Sequence, residues 1–86
     1  MSQNVTIEAY DHLISAVRTF QKNNLEISSE LLKCANMTVA AMNNDTASQE
    51  LQVLIQNIAK KMDSIDSRAE VLKKNLEEIR NDLSQI

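Results

Sequence analysis

The sequence predicts an all-α protein: an antiparallel two-helix hairpin, coiled-coil-like, that completes a four-helix bundle with a partner. Three observations carry this. Its 86 residues contain no glycine and no proline, so tight β-turns and Gly-rich phosphate loops are excluded together. Leu, Ile, Ala, Glu, Lys and Gln are abundant and unbroken, the composition of long helix. Apolar residues recur at alternating steps of three and four along both halves of the chain, the signature of a helical seam.

The first helix is expected over about 5–42. Its apolar or small positions run Tyr10, Leu13, Val17, Phe20, Asn24, Ile27, Leu31, Cys34, Thr38 and Ala41. The stretch Asn43-Asn44-Asp45 then interrupts the pattern near the midpoint. Asn and Asp tolerate left-handed backbone and compete with helical hydrogen bonds through their own side chains. Asn43 or Asn44 is therefore expected at positive φ, closing the first helix where glycine is usual. Asp45 or Thr46 caps the second helix, and Thr46-Ala47-Ser48-Gln49 fits a capping box.

The second helix is expected over about 46–86. Its seam is Leu51, Ile55, Ile58, Met62, Ile65, Ala69, Leu72, Leu76, Ile79, Leu83 and Ile86. A short turn makes the two helices antiparallel neighbours. Folding about it pairs Phe20 with Ala69 and sets Asn24 near Ile65, a large-to-small match that specifies the register. Asn24 is either a polar residue tolerated in the seam or a register device.

The first helix carries a second stripe, Leu25, Ser28, Leu32, Ala35, Val39 and Met42, rotated from the first. The second helix has little equivalent beyond Val53 and Leu54. An exposed stripe of this kind is sticky, so these six residues are the expected partner-binding surface. The cover is another helix, from a homodimer or a different helical protein. The alternative is that the second helix curls over the stripe within the monomer.

Twelve acidic and nine basic residues give a net charge of -3. The bases are interspersed with acids, as where Asp63, Asp66 and Glu70 flank Lys73 and Lys74. That pattern is helix-surface charge pairing, and it lacks the clustered positive footprint of a nucleic-acid binder. The longest apolar run, Val39 to Met42, is far short of a membrane span, so no membrane insertion is expected. The first residues lack the basic and apolar regions of a secretory signal peptide.

The single cysteine, Cys34, permits no internal disulfide, and His12 is the only histidine. Glu8 and His12 are one helical turn apart, but a zinc site needs about four ligands. The Glu-x-x-His motif of di-iron bundles does not occur. No catalytic set, metal or cofactor is expected.

With these residues in view, the chain resembles the WXG-type (early secreted antigen-like) substrates of bacterial type VII secretion. Those are hairpins of similar length with Trp-x-Gly at the turn. Here Met42-Asn43-Asn44 stands at that place, followed by Thr46-Ala47-Ser48 and the bulky Leu51. Relatives lacking the tripeptide are small helical partners encoded with LXG-type toxins. The resemblance implies a non-enzymatic adaptor or co-secreted partner, bound to the helical N-terminal region of such an effector. It also implies residence in a bacterial cytoplasm and folded export with that partner. Residues 76–82, LEEIRND, lack the family's aromatic-x-x-x-acid export signal, which favours the adaptor role over independent export. The alternative function is a small coiled-coil structural subunit or chaperone of another secretion or phage assembly.

Overall fold

A computed structural model describes residues 3–85 as two long antiparallel helices, α1 (Gln3–Ala41) and α2 (Thr46–Ser84). Each has 39 residues, about 58 Å of helix at 1.5 Å per residue. The molecule is a rod of 63 × 15 × 15 Å. No strand occurs among the described residues. The all-α, antiparallel two-helix hairpin read from the sequence is the one observed. Ile86, the last position of the expected seam, lies outside the described residues.

Four residues, 42–45, join the helices. The Met42 amide donates to the Val39 carbonyl at 3.1 Å, ending α1 in a tightened turn. The Asp45 amide then donates back to the Asn43 carbonyl at 2.6 Å. This bond spans three residues and has the form of an inverse γ-turn at Asn44. No residue of the described chain has positive φ, which corrects the left-handed closure expected at Asn43 or Asn44. A compact bond between neighbours reverses the chain instead, so glycine's freedom is not needed. Of the two candidate caps, Asp45 is the one used. Its backbone is extended (φ -105, ψ -178) and its carboxylate accepts from the Ser48 amide at 2.9 Å, satisfying a donor that the first turn leaves orphaned. Ser48 returns the contact, its hydroxyl donating to the Asp45 carbonyl at 2.9 Å.

The centre of the hairpin differs from the expected seam by a rotation of less than one residue, so that some expected positions stay inside and others give way to the next residue. In α1 the buried and half-buried positions include Tyr10, Ile14, Val17, Gln21, Asn24, Ser28, Leu32, Ala35 and Val39, with Met42 just beyond its end. In α2 they include Leu51, Ile55, Ala59, Met62, Ala69, Lys73, Leu76, Arg80 and Leu83. Tyr10, Val17, Asn24, Leu51, Ile55, Met62, Ala69, Leu76 and Leu83 are therefore where the spacing places them. Leu13, Phe20, Ile27 and Leu31 give way to their next neighbours, as do Ile58, Leu72 and Ile79, while Ile65 is simply left exposed.

The cause is the short connection. With only four residues between the helices, α2 must leave along the face of α1 nearest the turn. That face is the one bearing Val39 and Met42. From there the interface runs up through Ala35, Leu32 and Ser28, so the smaller and polar residues lie between the helices. The fully buried apolar core is consequently small: Ile14, Val17, Ala69 and Leu76, with Tyr10 packed against it.

Candidate functional site

The rotation divides the hairpin's two long sides into unlike faces. On one side the cross-helix polar contacts gather. Arg80 Nε donates to Asp11 Oδ1 at 2.9 Å, Arg18 Nη2 to Glu77 Oε1 at 3.3 Å, and Gln21 Nε2 to Glu70 Oε2 at 2.9 Å. Lys73 joins Glu70 at 3.0 Å from one turn along α2. The Gln21 amide and then the Lys73 ammonium hold the Glu70 carboxyl below its ordinary range, because both favour the ionised form. Nearer the turn Asn24 Nδ2 donates to the Met62 carbonyl at 3.3 Å, and Ser28 Oγ lies 3.1 Å from Met62 Sδ. Hydrogen bonds and ion pairs bridge the two helices along this face.

The opposite side is apolar and open. Phe20, Ile65 and Leu72 line one stretch of groove, with Val17 and Ala69 at its floor. Closer to the turn, Leu31, Leu54 and Ile58 line a second stretch over Leu32, Ala35, Leu51 and Ile55. Leu13 and Ile79 carry the same rows outward by helical spacing and are themselves exposed. Phe20 remains 48% and Ile65 44% accessible. Two rows of large apolar side chains thus run along one side of a rod with no cover. Soluble monomers rarely expose contiguous apolar surface on this scale except at a binding site.

This arrangement relocates the residues singled out in the sequence. Ser28, Leu32, Ala35, Val39 and Met42, expected on an outward stripe, lie half-buried on the inner face of the hairpin. Leu32 and Ala35 share their groove with Leu51 and Ile55 of α2, and Ser28 touches Met62. The second helix covers this stripe within the monomer, as the alternative arrangement requires. Leu25 stays out, 71% exposed, on the lip of a groove that it lines with Asn24, Ser28 and Met62. The expected seam set splits. Ala69 is buried and Asn24 reaches across, whereas Phe20 and Ile65 flank the core on its open side. Asn43, Asn44 and Asp45 form the turn. Cys34 is a free, exposed thiol near Ile27 and Leu31.

Spacing alone did not find the open face, because it treats Leu13, Phe20, Ile27, Ile58, Ile65 and Leu72 as core. A usable signal was present in the charges. Asp11 with Arg80, Arg18 with Glu77 and Gln21 with Glu70 are complementary pairs at matching levels of the two helices. They have to share a side, which leaves the rows of Phe20 and Ile65 on the other.

No family model, curated protein or solved structure matches the chain. Function therefore rests on the geometry. No helix among the described residues is long and apolar enough to cross a membrane. No group of three or more His, Cys, Asp or Glu side chains gathers among the described residues in a way that suits a metal.

Proposed function

We propose that the chain is a non-enzymatic interaction protein whose open apolar face completes a four-helix bundle with a second helical hairpin. The single observation that carries this is the pairing of Phe20 with Ile65 and Leu72 along an uncovered groove. Two helices side by side offer a matching pair of helices a furrow between them and a ridge on either side. Docking there would bury both apolar rows at once, the usual way a helical hairpin acquires an adequate core. A hairpin whose fully buried apolar side chains are Ile14, Val17, Ala69 and Leu76 among the described residues is a marginal scaffold without such cover.

The finer reading follows the sequence resemblance. A WXG-like hairpin with Met42-Asn43-Asn44 at its turn and no aromatic export signal fits an adaptor. It would hold the helical N-terminal region of an LXG-type effector and accompany it to a type VII secretion machine. The apolar face supports this because a long helical segment is what the face can cover. The test is co-expression with the N-terminal region of a polymorphic toxin encoded beside this chain. Wild type is expected to co-purify with it and to lose it on Phe20→Glu or Ile65→Glu. Retention of the toxin by both variants refutes the face. Absence of any such neighbouring toxin and secretion ATPase refutes the adaptor reading and favours a structural subunit of another assembly.

A further inference from the structure

We propose that the apolar face of the free protein docks on a second copy of this chain. In that dimer the turns lie at the same end, and α1 of each copy rests on α2 of the other. The inference rests on the reading of that face as a docking surface and names its occupant.

Exposed area comes first. The hairpin exposes 6576 Å². A compact monomer of 9.7 kDa is expected to expose about 5,100 Å² from the mass scaling of folded chains. The excess, about 1,500 Å², exceeds the roughly 800 Å² that a standard stable interface takes from one partner. The rod shape, 63 × 15 × 15 Å, accounts for this excess and leaves room along one side for a standard interface, which a partner of the same length covers best.

Charge then selects the copy. Glu26 and Glu30 stand beside Ile27 and Leu31 at the α1 margin of the face. On the α2 half, Arg68 lines the groove with Ile65 and Leu72. Lys61, one helical turn from both Ile58 and Ile65, shares their row. The ion pairs among the described residues join Asp11, Arg18, Glu70, Lys73, Glu77 and Arg80 on the polar side and include none of these four. The face is thus acidic along one margin and basic along the other, and both charges are unspent.

The cross-helix contacts fix the levels. Ser28 meets Met62 and Gln21 meets Glu70. Glu30 therefore stands level with Lys61, and Glu26 stands between Lys61 and Arg68. A two-fold axis parallel to the rod lays α1 over α2 of the second copy without changing these levels. It brings Glu30 to Lys61 and Glu26 toward Arg68, twice by symmetry. The competing two-fold, across the rod, lays α2 on α2 and sets Lys61 opposite Arg68, like charge on like. Opposite margins at matched levels make the face complementary to itself in one orientation only. An effector helix that uses the same face must displace the second copy.

The experiment is a charge exchange read by sedimentation equilibrium. Wild type is expected at twice the chain mass. Glu26→Lys with Glu30→Lys, and separately Lys61→Glu with Arg68→Glu, each make both margins alike. Each variant is expected to weaken dimerisation at least about tenfold, a loss of about 1.4 kcal/mol. Mixing the two restores opposite charge at both margins, so a mixed dimer at wild-type affinity is expected. Circular dichroism of each variant shows that the hairpin still forms. Wild type that stays monomeric at high micromolar concentration overturns self-docking, while co-purification with the toxin segment still judges the face itself. A dimer that neither exchange weakens, or that mixing does not restore, overturns the stated orientation.

Discussion

Asn24 reaches across the hairpin to the backbone of α2, its Nδ2 donating to the Met62 carbonyl oxygen at 3.3 Å. That carbonyl belongs to the helical ladder, so the bond uses its second lone pair and disturbs no helix. One turn on, Ser28 donates to the Asn24 carbonyl at 2.7 Å and also lies against Met62 Sδ. A polar residue between two helices discriminates among registers, since a slip strands it against apolar side chains. Of the two roles open to Asn24 from sequence, a register device is the one this bond supports. Asn24→Ala is expected to lower the unfolding free energy by about 0.5–1.5 kcal/mol, the net worth of one such bond. Urea denaturation measures it. An unchanged midpoint would mean that the bond carries nothing.

The turn makes a prediction opposite in sign to one based on left-handed asparagine. Because no residue there has positive φ, glycine relieves no strain at 44 and only enlarges the unfolded ensemble. Asn44→Gly is expected to cost roughly 0.5–1 kcal/mol. Asp45→Ala removes the carboxylate that accepts from the Ser48 amide and is expected to cost about 1 kcal/mol. Thermal melts followed by circular dichroism test both. A stabilising Asn44→Gly would contradict the observed turn.

Glu70 gives the fold a small dependence on pH. Its carboxyl is held below the ordinary 4.5 by the Gln21 amide and then by Lys73, so the folded state favours the ionised form. That contribution is complete above the ordinary value and fades as pH falls from there through the lowered folded one. Glu70→Gln is expected to lower stability at neutral pH and to differ little from wild type in strong acid. Denaturation curves of both proteins across the acid range check this. An equal gap at all pH values would show that the carboxylate charge plays no part.

Local and non-local physics part company in this chain. The absence of glycine and proline, the three-four spacing and the Asn-Asn-Asp interruption all act locally, and they led to two helices with a turn at 43–45, where the structure begins the turn one residue earlier, at Met42. The azimuth of each helix is not local. Leu13 and Ile14, Leu31 and Leu32, and Cys34 and Ala35 are adjacent small or apolar pairs. A one-residue step is about 100° of rotation, so either member of each pair can continue an apolar stripe. The choice between them falls to the short turn and to the polar pairs of Gln21, Arg18 and Asp11 with α2. Spacing gathered Phe20 and Ile65 into the seam beside Asn24; the hairpin keeps Asn24 there, adds Gln21 and Ser28, and leaves Phe20 and Ile65 exposed. Partner identity is further removed still, since it depends on a second molecule's surface.

Leu76 and Leu72 separate folding from docking on a single helix. Leu76 is 7% exposed within the cluster of Ile14, Val17 and Ala69, whereas Leu72 lines the open groove with Phe20 and Ile65. Leu76→Ala deletes core and leaves a cavity, an expected cost of about 2–5 kcal/mol, which is enough to unfold so small a hairpin. Leu72→Ala removes side chain that the lone hairpin only partly buries. It should leave the helical signal intact at low concentration and reduce association instead. Equal effects of the two on helicity would refute the division of faces.

The sharpest contrast lies between Leu32 and Phe20, both large apolar residues of α1. Leu32 is half-buried on the inner face, where it shares a groove with Leu51 and Ile55. A carboxylate placed there has no cation among those neighbours, and burying it unpaired costs several kcal/mol, on the order of the whole stability of a small domain. Leu32→Glu is therefore expected to lose its helical circular dichroism, not merely its partner. Phe20 stands on the rim of the open face, so Phe20→Glu can keep its carboxylate in water while the hairpin persists. It should remain helical yet sediment at the chain mass, because docking would bury that charge against an apolar partner surface. The pair thus forms a double dissociation, unfolded for one and folded but solitary for the other. Should Leu32→Glu stay helical while losing association, the inner and outer faces of α1 would have to be exchanged.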